Sequence, residues 1–299
     1  MSGCENSFDP KGPYQKQLVV YSILSNTSDS QYVRVFTTYN PSGFDPAEVT
    51  ADTYVRKAAV TLADDSATYN LRDTTLVRVD KSRYTDDIGA YIAYPCKTRL
   101  GKTYRLSVAS DQGNASATVG VPDAGLLIPN NSYILKAPDK YGSEDISVTI
   151  KISSLARGYI VRVYLDYLVS VGANWIHKRD EIPTSVLSVT GQTVQYDYPK
   201  LTRRLNEISQ PYVTVTFPIS VYNAFFIAIQ NRYGVGGFQI VSATYFLTQV
   251  EENLYKYYNL ANGFQDPYSI RTDQPDFSNI QGGLGIFGAM TLDSVRVDF

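Results

Sequence analysis

Histidine and cysteine are almost absent from this 299-residue chain, which holds one His and two Cys. A structural zinc site takes about four nitrogen or sulfur ligands. His177 has no second His or Cys near it in sequence, so no zinc motif can be assembled and no metal or cofactor is expected. A serine hydrolase of the Ser-His-Asp kind needs a histidine beside its nucleophile. The one histidine lies in the polar run Trp175-Ile176-His177-Lys178-Arg179-Asp180-Glu181, and no G-x-S-x-G elbow occurs. His177 therefore reads as a surface or hydrogen-bonded histidine, and no catalytic residue is nominated. Long apolar runs are missing too: none approaches the roughly 20 residues a membrane-spanning helix requires. There is no basic stripe, and the net charge is −2 with a pI near 5.5. Nucleic acid, which is bound by neutralising phosphates, is not an expected partner.

Tyrosine is abundant: 25 Tyr against one Trp and two Met. Together with many Val, Ile and Thr, this composition suits strands, where flat and branched side chains pack on a pleated surface. So many Tyr fit half-solvated sheet faces, or else an aromatic contact surface for a sugar or a partner. Leu18–Ile23 and Tyr32–Thr38 read as strands about a turn at Asn26–Ser30. Ala58, Val60 and Leu62 alternate with polar or small neighbours, as do Tyr104, Leu106 and Val108, and then Ala115, Ala117, Val119 and Val121. Leu76–Val79 and Tyr91–Tyr94 are shorter strand candidates. Gly101-x-x-Tyr104 followed by an alternating strand resembles the sixth strand of fibronectin III-like sandwiches. Asp64-Asp65 and Asp86-Asp87 are loop pairs, of a type more often solvated than bound to calcium.

Gly125–Asn131, with Pro129 and two asparagines, is the expected domain boundary. Beyond it, Ile146–Ile152, Tyr159–Val171 and Val213–Phe217 alternate as half-buried strands, with Arg162 and Asp166 marking an exposed face. Phe225–Ile229 is a continuous apolar run suited to a central strand, and Leu201–Ile208 suggests a short helix. Gly234, Gly236 and Gly237 form a turn before a strand over Phe238–Leu247. Thr248 then stands where it can cap a helix, with Glu251 placed to bond back to the cap. Val250, Leu254, Tyr257 and Ala261 follow on one helical face, and Gly263 suits the left-handed position past its end. Leu254 is expected to point inward. Tyr255, Tyr257 and Tyr258 are a possible aromatic platform, with core packing as the simpler reading of Tyr257. Gly282, Gly283 and Gly285 follow no strand–helix pattern for phosphate binding and read instead as tight turning or close backbone approach.

The fold class is thus mainly β: two β-sandwich domains of the fibronectin III/Ig-like kind, with one C-terminal helix near residues 249–262. Residues 1–14 read as a tether, 15–124 as an N-terminal sandwich, and 125–299 as a C-terminal sandwich with the helix and a glycine-rich closing segment. Met1-Ser2-Gly3-Cys4 is similar to a bacterial lipobox, in which the cysteine receives a diacylglycerol. On that reading Cys4 is the lipidation residue and the true precursor begins upstream. Glu5–Gln17 is polar and aperiodic, as a membrane tether should be. Cys96 is either the partner of Cys4 in a disulfide or a buried free thiol.

The segment Phe277-Ser278-Asn279-Ile280-Gln281-Gly282-Gly283-Leu284-Gly285-Ile286-Phe287-Gly288 resembles the closing signature of a Bacteroidota lipoprotein family known as domain of unknown function 4249. Cys4, Leu18-Val19-Val20, Gly101-x-x-Tyr104-x-Leu106-x-Val108 and Ala117-x-Val119-x-Val121-Pro122 fit the same family. The resemblance implies a β-sandwich protein anchored by lipid at the outer membrane, typically encoded beside a TonB-dependent receptor. It further implies an accessory role, binding or delivering a substrate to such a transporter, with no enzymatic activity and no ligand residues to carry over. Two other functions remain open from the residues. One is a structural or adhesive surface protein. The other is a glycan-binding or glycan-active protein, for which no motif nominates a carboxylate pair.

Overall fold

The structure, a computed structural model, describes residues 13–41, 45, 49–82, 84–138, 143–190, 193–205, 211–262 and 277–299. Cys4, nearly all of the tether and Gly263 lie outside these residues. In the first part of the chain the strands are β1 (Leu18–Ser25), β2 (Gln31–Thr37), β3 (Ala59–Ala63), β4 (Thr68–Asn70), β5 (Arg72–Leu76), β6 (Ile88–Ala93), β7 (Thr103–Ser110) and β8 (Gly113–Gly120). Next come β9 (Leu126–Pro129), α1 (Tyr133–Lys136), β10 (Ile146–Lys151), β11 (Ala156–Val171), β12 (Asn174–Glu181), β13 (Ser185–Thr190) and β14 (Thr193–Asp197). The chain closes with β15 (Thr202–Arg203), β16 (Tyr212–Phe217), α2 (Ile219–Tyr233), β17 (Phe238–Glu251), α3 (Glu252–Asn262) and β18 (Gly283–Asp298). The fold is mainly β, as its alternating sequence requires.

One long sheet organises the molecule. Eight strands lie side by side in the order β12-β11-β17-β18-β1-β2-β6-β5, and β15 adds to β11 as the ninth. One face of this sheet is covered at two places. Leu18, Val20, Val33, Val35 and Tyr91 pack against Leu62, Tyr104, Leu106, Val108 and Val119 of the sheet β4-β3-β7-β8. Val161, Val163, Leu165, Tyr167, Tyr245 and Leu247 pack against Ile146, Val148 and Ile150 of the sheet β16-β10-β9, and against α2. Each place is a sheet-on-sheet sandwich with its own apolar core.

The two sandwiches share strands, because β18 belongs to both. Its first half runs parallel to β1, from Leu18↔Gly283 to Ser25↔Met290. Its second half runs antiparallel to β17, from Val250↔Met290 to Ser242↔Asp298. Ile280, Phe287 and Ala289 accordingly join the first core, although they lie near the end of the chain. The segment read as the domain boundary, residues 125–131, contains β9, which pairs with β10.

Several local expectations are corrected. Phe225–Ile229 is helical, not a strand: it is the middle of α2. Its buried residues Val221, Tyr222, Phe225, Phe226 and Ile229 repeat with a helical period over the whole segment, which a five-residue window reads as a plain apolar run. Pro218 is the N-cap, Asp145 accepts the Ile219 N–H at 2.9 Å in place of a capping side chain, and Gly234 stops the helix with φ 81°. The fold therefore has more than the one helix expected. Leu201–Ile208 is not a helix over its described part, because Thr202 and Arg203 pair with β11. Val77 and Val79 lie beyond β5 and are exposed. Trp175–Glu181, read as a polar stretch after a strand, is itself strand, within β12.

Candidate functional site

The opposite face of the long sheet is left open over β12, β11 and the N-terminal half of β17, and is crossed by α3 further along. Residues of β11 alternate: the odd ones from Tyr159 to Val169 enter the second core, so Arg162, Tyr164 and Asp166 face out. Register places Glu181 beside Tyr164 and Arg179 beside Asp166 on β12. On the other side it places Phe246, Thr244 and Ser242 of β17 beside the same three residues.

Asp166 was expected to be exposed, but its side chain is only 5% accessible. A buried carboxylate needs partners, and it has four. Ser242 and Thr244 approach with their hydroxyls at 3.4 and 3.3 Å, His177 Nε2 lies at 3.1 Å, and Arg179 Nε at 3.5 Å. The lone histidine is thus a partner to a structural carboxylate. The Arg179 guanidinium lies 5.3 Å from the Tyr164 ring centroid and 5.6 Å from that of Phe246. The two rings meet edge to face at 5.6 Å. Tyr164 donates to Glu181 Oε2 at 3.2 Å, and Arg162 Nε stands 3.5 Å from Oε1 of the same carboxylate. Arg162, Tyr164, Arg179, Phe246, Thr248 and Leu292 enclose a shallow pocket of about 290 Å³. Cation–π stacking holds Arg179 in one place with its charge accessible. This cluster went unnoticed in the sequence, though the outward members of three alternating strands could have suggested it.

Further along, α3 lies on the same face. It begins four residues after Thr248, which remains in β17, so Thr248 is not the cap. Glu251 fills that role, accepting the N–H of Asn253 at 2.7 Å and of Leu254 at 2.7 Å. Leu254 is buried, as expected, and packs over Gly288. Tyr257 meets Tyr21 edge-on at 6.2 Å, and Tyr21 stacks on Phe36 at 5.7 Å. With Arg34 4.9 Å above Phe36, a second arginine–aromatic group stands on this face. Gly263 and the side chain of Ala261 lie outside what the structure describes.

Burial raises the Glu251 carboxyl above its ordinary value, and the N–H groups of Asn253, Leu254 and Ala289 only partly offset it. A carboxyl raised in the folded state contributes most below its unfolded value of 4.5 and loses that contribution as pH rises through the folded value. The wild type should therefore gain stability relative to Glu251→Gln as pH is lowered from 7.5 towards 4.5. Urea unfolding of both proteins across that range measures the difference; a pH-independent gap would contradict it.

The closing signature is structural in its geometry. Asn279 pairs with the main chain of Phe287 in both directions, donating to its carbonyl at 2.8 Å and accepting its N–H at 2.9 Å. Gln281 exchanges main-chain bonds with Ser116 of β8 at 2.8 and 2.9 Å. Gly282 and Gly283 turn the chain into β18. Elsewhere, Asp64 and Asp65 are occupied by Arg99 and Lys102. Main-chain and hydroxyl donors from Ser66 and Ala67, with Arg99, hold the Asp64 carboxyl down at about 2 despite its burial. Asp87 pairs with Lys81, and the Asp86 carbonyl accepts from Arg78. Cys96 is a buried free thiol, pushed up to about 11 by burial and the nearby Asp64 charge, so it stays protonated and unreactive at neutral pH.

Comparison with other proteins adds one assignment. No curated protein matches the chain. The C-terminal globular domain of an oligosaccharyltransferase from Pyrococcus abyssi aligns at 12% identity and TM-score 0.24, covering 75% of this chain and 45% of that one. Domains A168–A170 of titin align at 10% identity and TM-score 0.18, covering 79% and 61%. The chain thus spans less than half of the first of these structures and less than two thirds of the second. The family model described as "Domain of unknown function (DUF4249)" matches residues 5–296, and the chain belongs to that family.

Proposed function

We propose that the protein is a non-enzymatic lipoprotein of the outer membrane, anchored through Cys4, that docks a TonB-dependent transporter as an accessory subunit. The observation that carries this reading is the open sheet face, with Arg179 stacked on Tyr164 and Phe246 and Arg34 stacked on Phe36. Fixed arginines and tyrosines are the residue types that dominate protein contacts, because they bring large contact area at small cost in side-chain freedom. The carboxylates of this face are engaged in pairing, which suits recognition better than acid–base chemistry.

The docking half is tested by affinity purification from the native host, with eluted proteins identified by mass spectrometry. The wild type should bring down a TonB-dependent receptor, and Arg179→Ala/Phe246→Ala should lose most of it while melting as the wild type does. Equal recovery by both proteins sinks the docking surface. The anchoring half is tested separately with a clickable fatty acid, whose incorporation should vanish in Cys4→Ala. Persistent label in that variant removes the anchor.

A further inference from the structure

A second cavity lies on the covered side of the long sheet, at the open edge of the C-terminal sandwich. Its floor is Tyr159 and Val161 of β11, one wall is β16, and the hairpin β13–β14 with the following segment closes it. β16 is the outer strand of its sheet, so the two sheets part here without a third strand to fill the gap. The volume is about 380 Å³, within the size range of small-molecule sites.

Its lining mixes residues of the second core with polar ones. Tyr159 is 9% exposed, and its hydroxyl bonds to no described residue but opens onto the cavity and is not among the sealed polar atoms. The hydroxyl of Tyr198, which stands at the rim with its ring accessible, bonds to none either. Both phenols are thus free to bond a ligand in the cavity. Thr184 and Thr202 direct hydroxyls to the carbonyls of Asp197 and Lys200 at 3.2 and 3.3 Å, leaving their oxygens able to accept. Lys200 is neutralised by Asp197 at 2.9 Å, so the site offers donors and acceptors without net charge. On the far side of Tyr198 the trench continues past Tyr196, whose buried hydroxyl is also without a partner, to Asp180 and Arg232 of α2. Burial and the nearby carboxylates Glu181 and Asp180 raise the Tyr198 phenol, so its proton remains available to donate.

We propose that this trench is a carbohydrate-binding site, with Tyr198 stacking on the face of a sugar ring and Tyr159 donating to a sugar hydroxyl. An anion is disfavoured because the lysine is already paired. A purely apolar ligand would cover both phenols without giving either a partner. Neutral sugars combine an apolar ring face with hydroxyls on its edge, which matches this lining. The site stands independently of the docking face and of Cys4.

A microarray of neutral oligosaccharides built on glucose, galactose, mannose, xylose and N-acetylglucosamine tests this, followed by calorimetric titration of the strongest binder. Tyr198→Ala should weaken that binding about tenfold or more, the effect of roughly one lost stacking contact. Tyr159→Phe should weaken it several-fold with an unchanged melting temperature, and Arg179→Ala should leave it as it was. No binding across the array overturns the proposal. So does a binder whose affinity survives Tyr198→Ala, or one lost with Arg179→Ala.

Discussion

Gly285→Val is expected to lose at least about 3 kcal/mol of stability, a large share of the roughly 5–15 kcal/mol available to a folded domain. Gly285 lies in β18 with φ 110°, and a Cβ built there would run into the carbonyl oxygen of Val20 on β1. Holding an L-residue in that region costs about 1–3 kcal/mol alone. The clash adds to this, because relieving it means drawing β18 away from β1 along the parallel register. Phe287 and Ala289, which follow in the same strand, would then withdraw from the first core. The injury should spread to both sandwiches, since β18 also pairs with β17. Urea unfolding reads the loss, and hydrogen exchange at the amides of β1 and β18 locates it. A midpoint equal to that of the wild type would mean that this close approach is not what joins the halves.

The same position shows what the sequence could and could not convey. Local alternation is fully local, so Tyr104, Leu106 and Val108 could be assigned a buried face from their own spacing, and they have one. The closing glycines could be read as close approach beside a strand, because glycine has few other reasons to recur there. That the strand beside them is β1, some 265 residues earlier by the register of Leu18 with Gly283, is a non-local pairing with no local trace. The continuous sheet followed from that pairing alone and stayed invisible. Asp166 was misplaced for a related reason: its burial comes from Ser242, Thr244, His177 and Arg179, which are contributed by two other strands. Glu251 reads as the residue that bonds back to a Thr248 cap, but it is itself the cap, three residues later than the pattern suggests. A threonine three before a glutamate fits a capping box, and nothing in that short pattern reveals that pairing of β17 with β11 and β18 extends the strand through it. The trench beneath the β13–β14 hairpin was no more legible, since its floor and wall come from strands far apart in the chain.

Misreading α2 had a different cause, a window too short for the period, and Tyr222 is where that helix is best tested. Its ring is fully buried, and its hydroxyl donates to the Leu135 carbonyl of α1 at 2.6 Å. Leu135 is itself inaccessible, so Tyr222→Phe leaves that acceptor with no replacement donor from solvent. The expected cost is about 1–3 kcal/mol. Tyr222→Ala also removes the ring that lies 6.2 Å from both Phe225 and Phe226. Truncating a buried aromatic costs roughly 3–5 kcal/mol, so the alanine variant should be clearly the weaker of the two. Both are read by urea unfolding against the wild type. If the phenylalanine variant matched the wild type, the bond to α1 would carry no stability. If alanine cost no more than phenylalanine, the aromatic side of α2 would not be part of the second core, and the cover on the long sheet would rest on β10 and β16 alone.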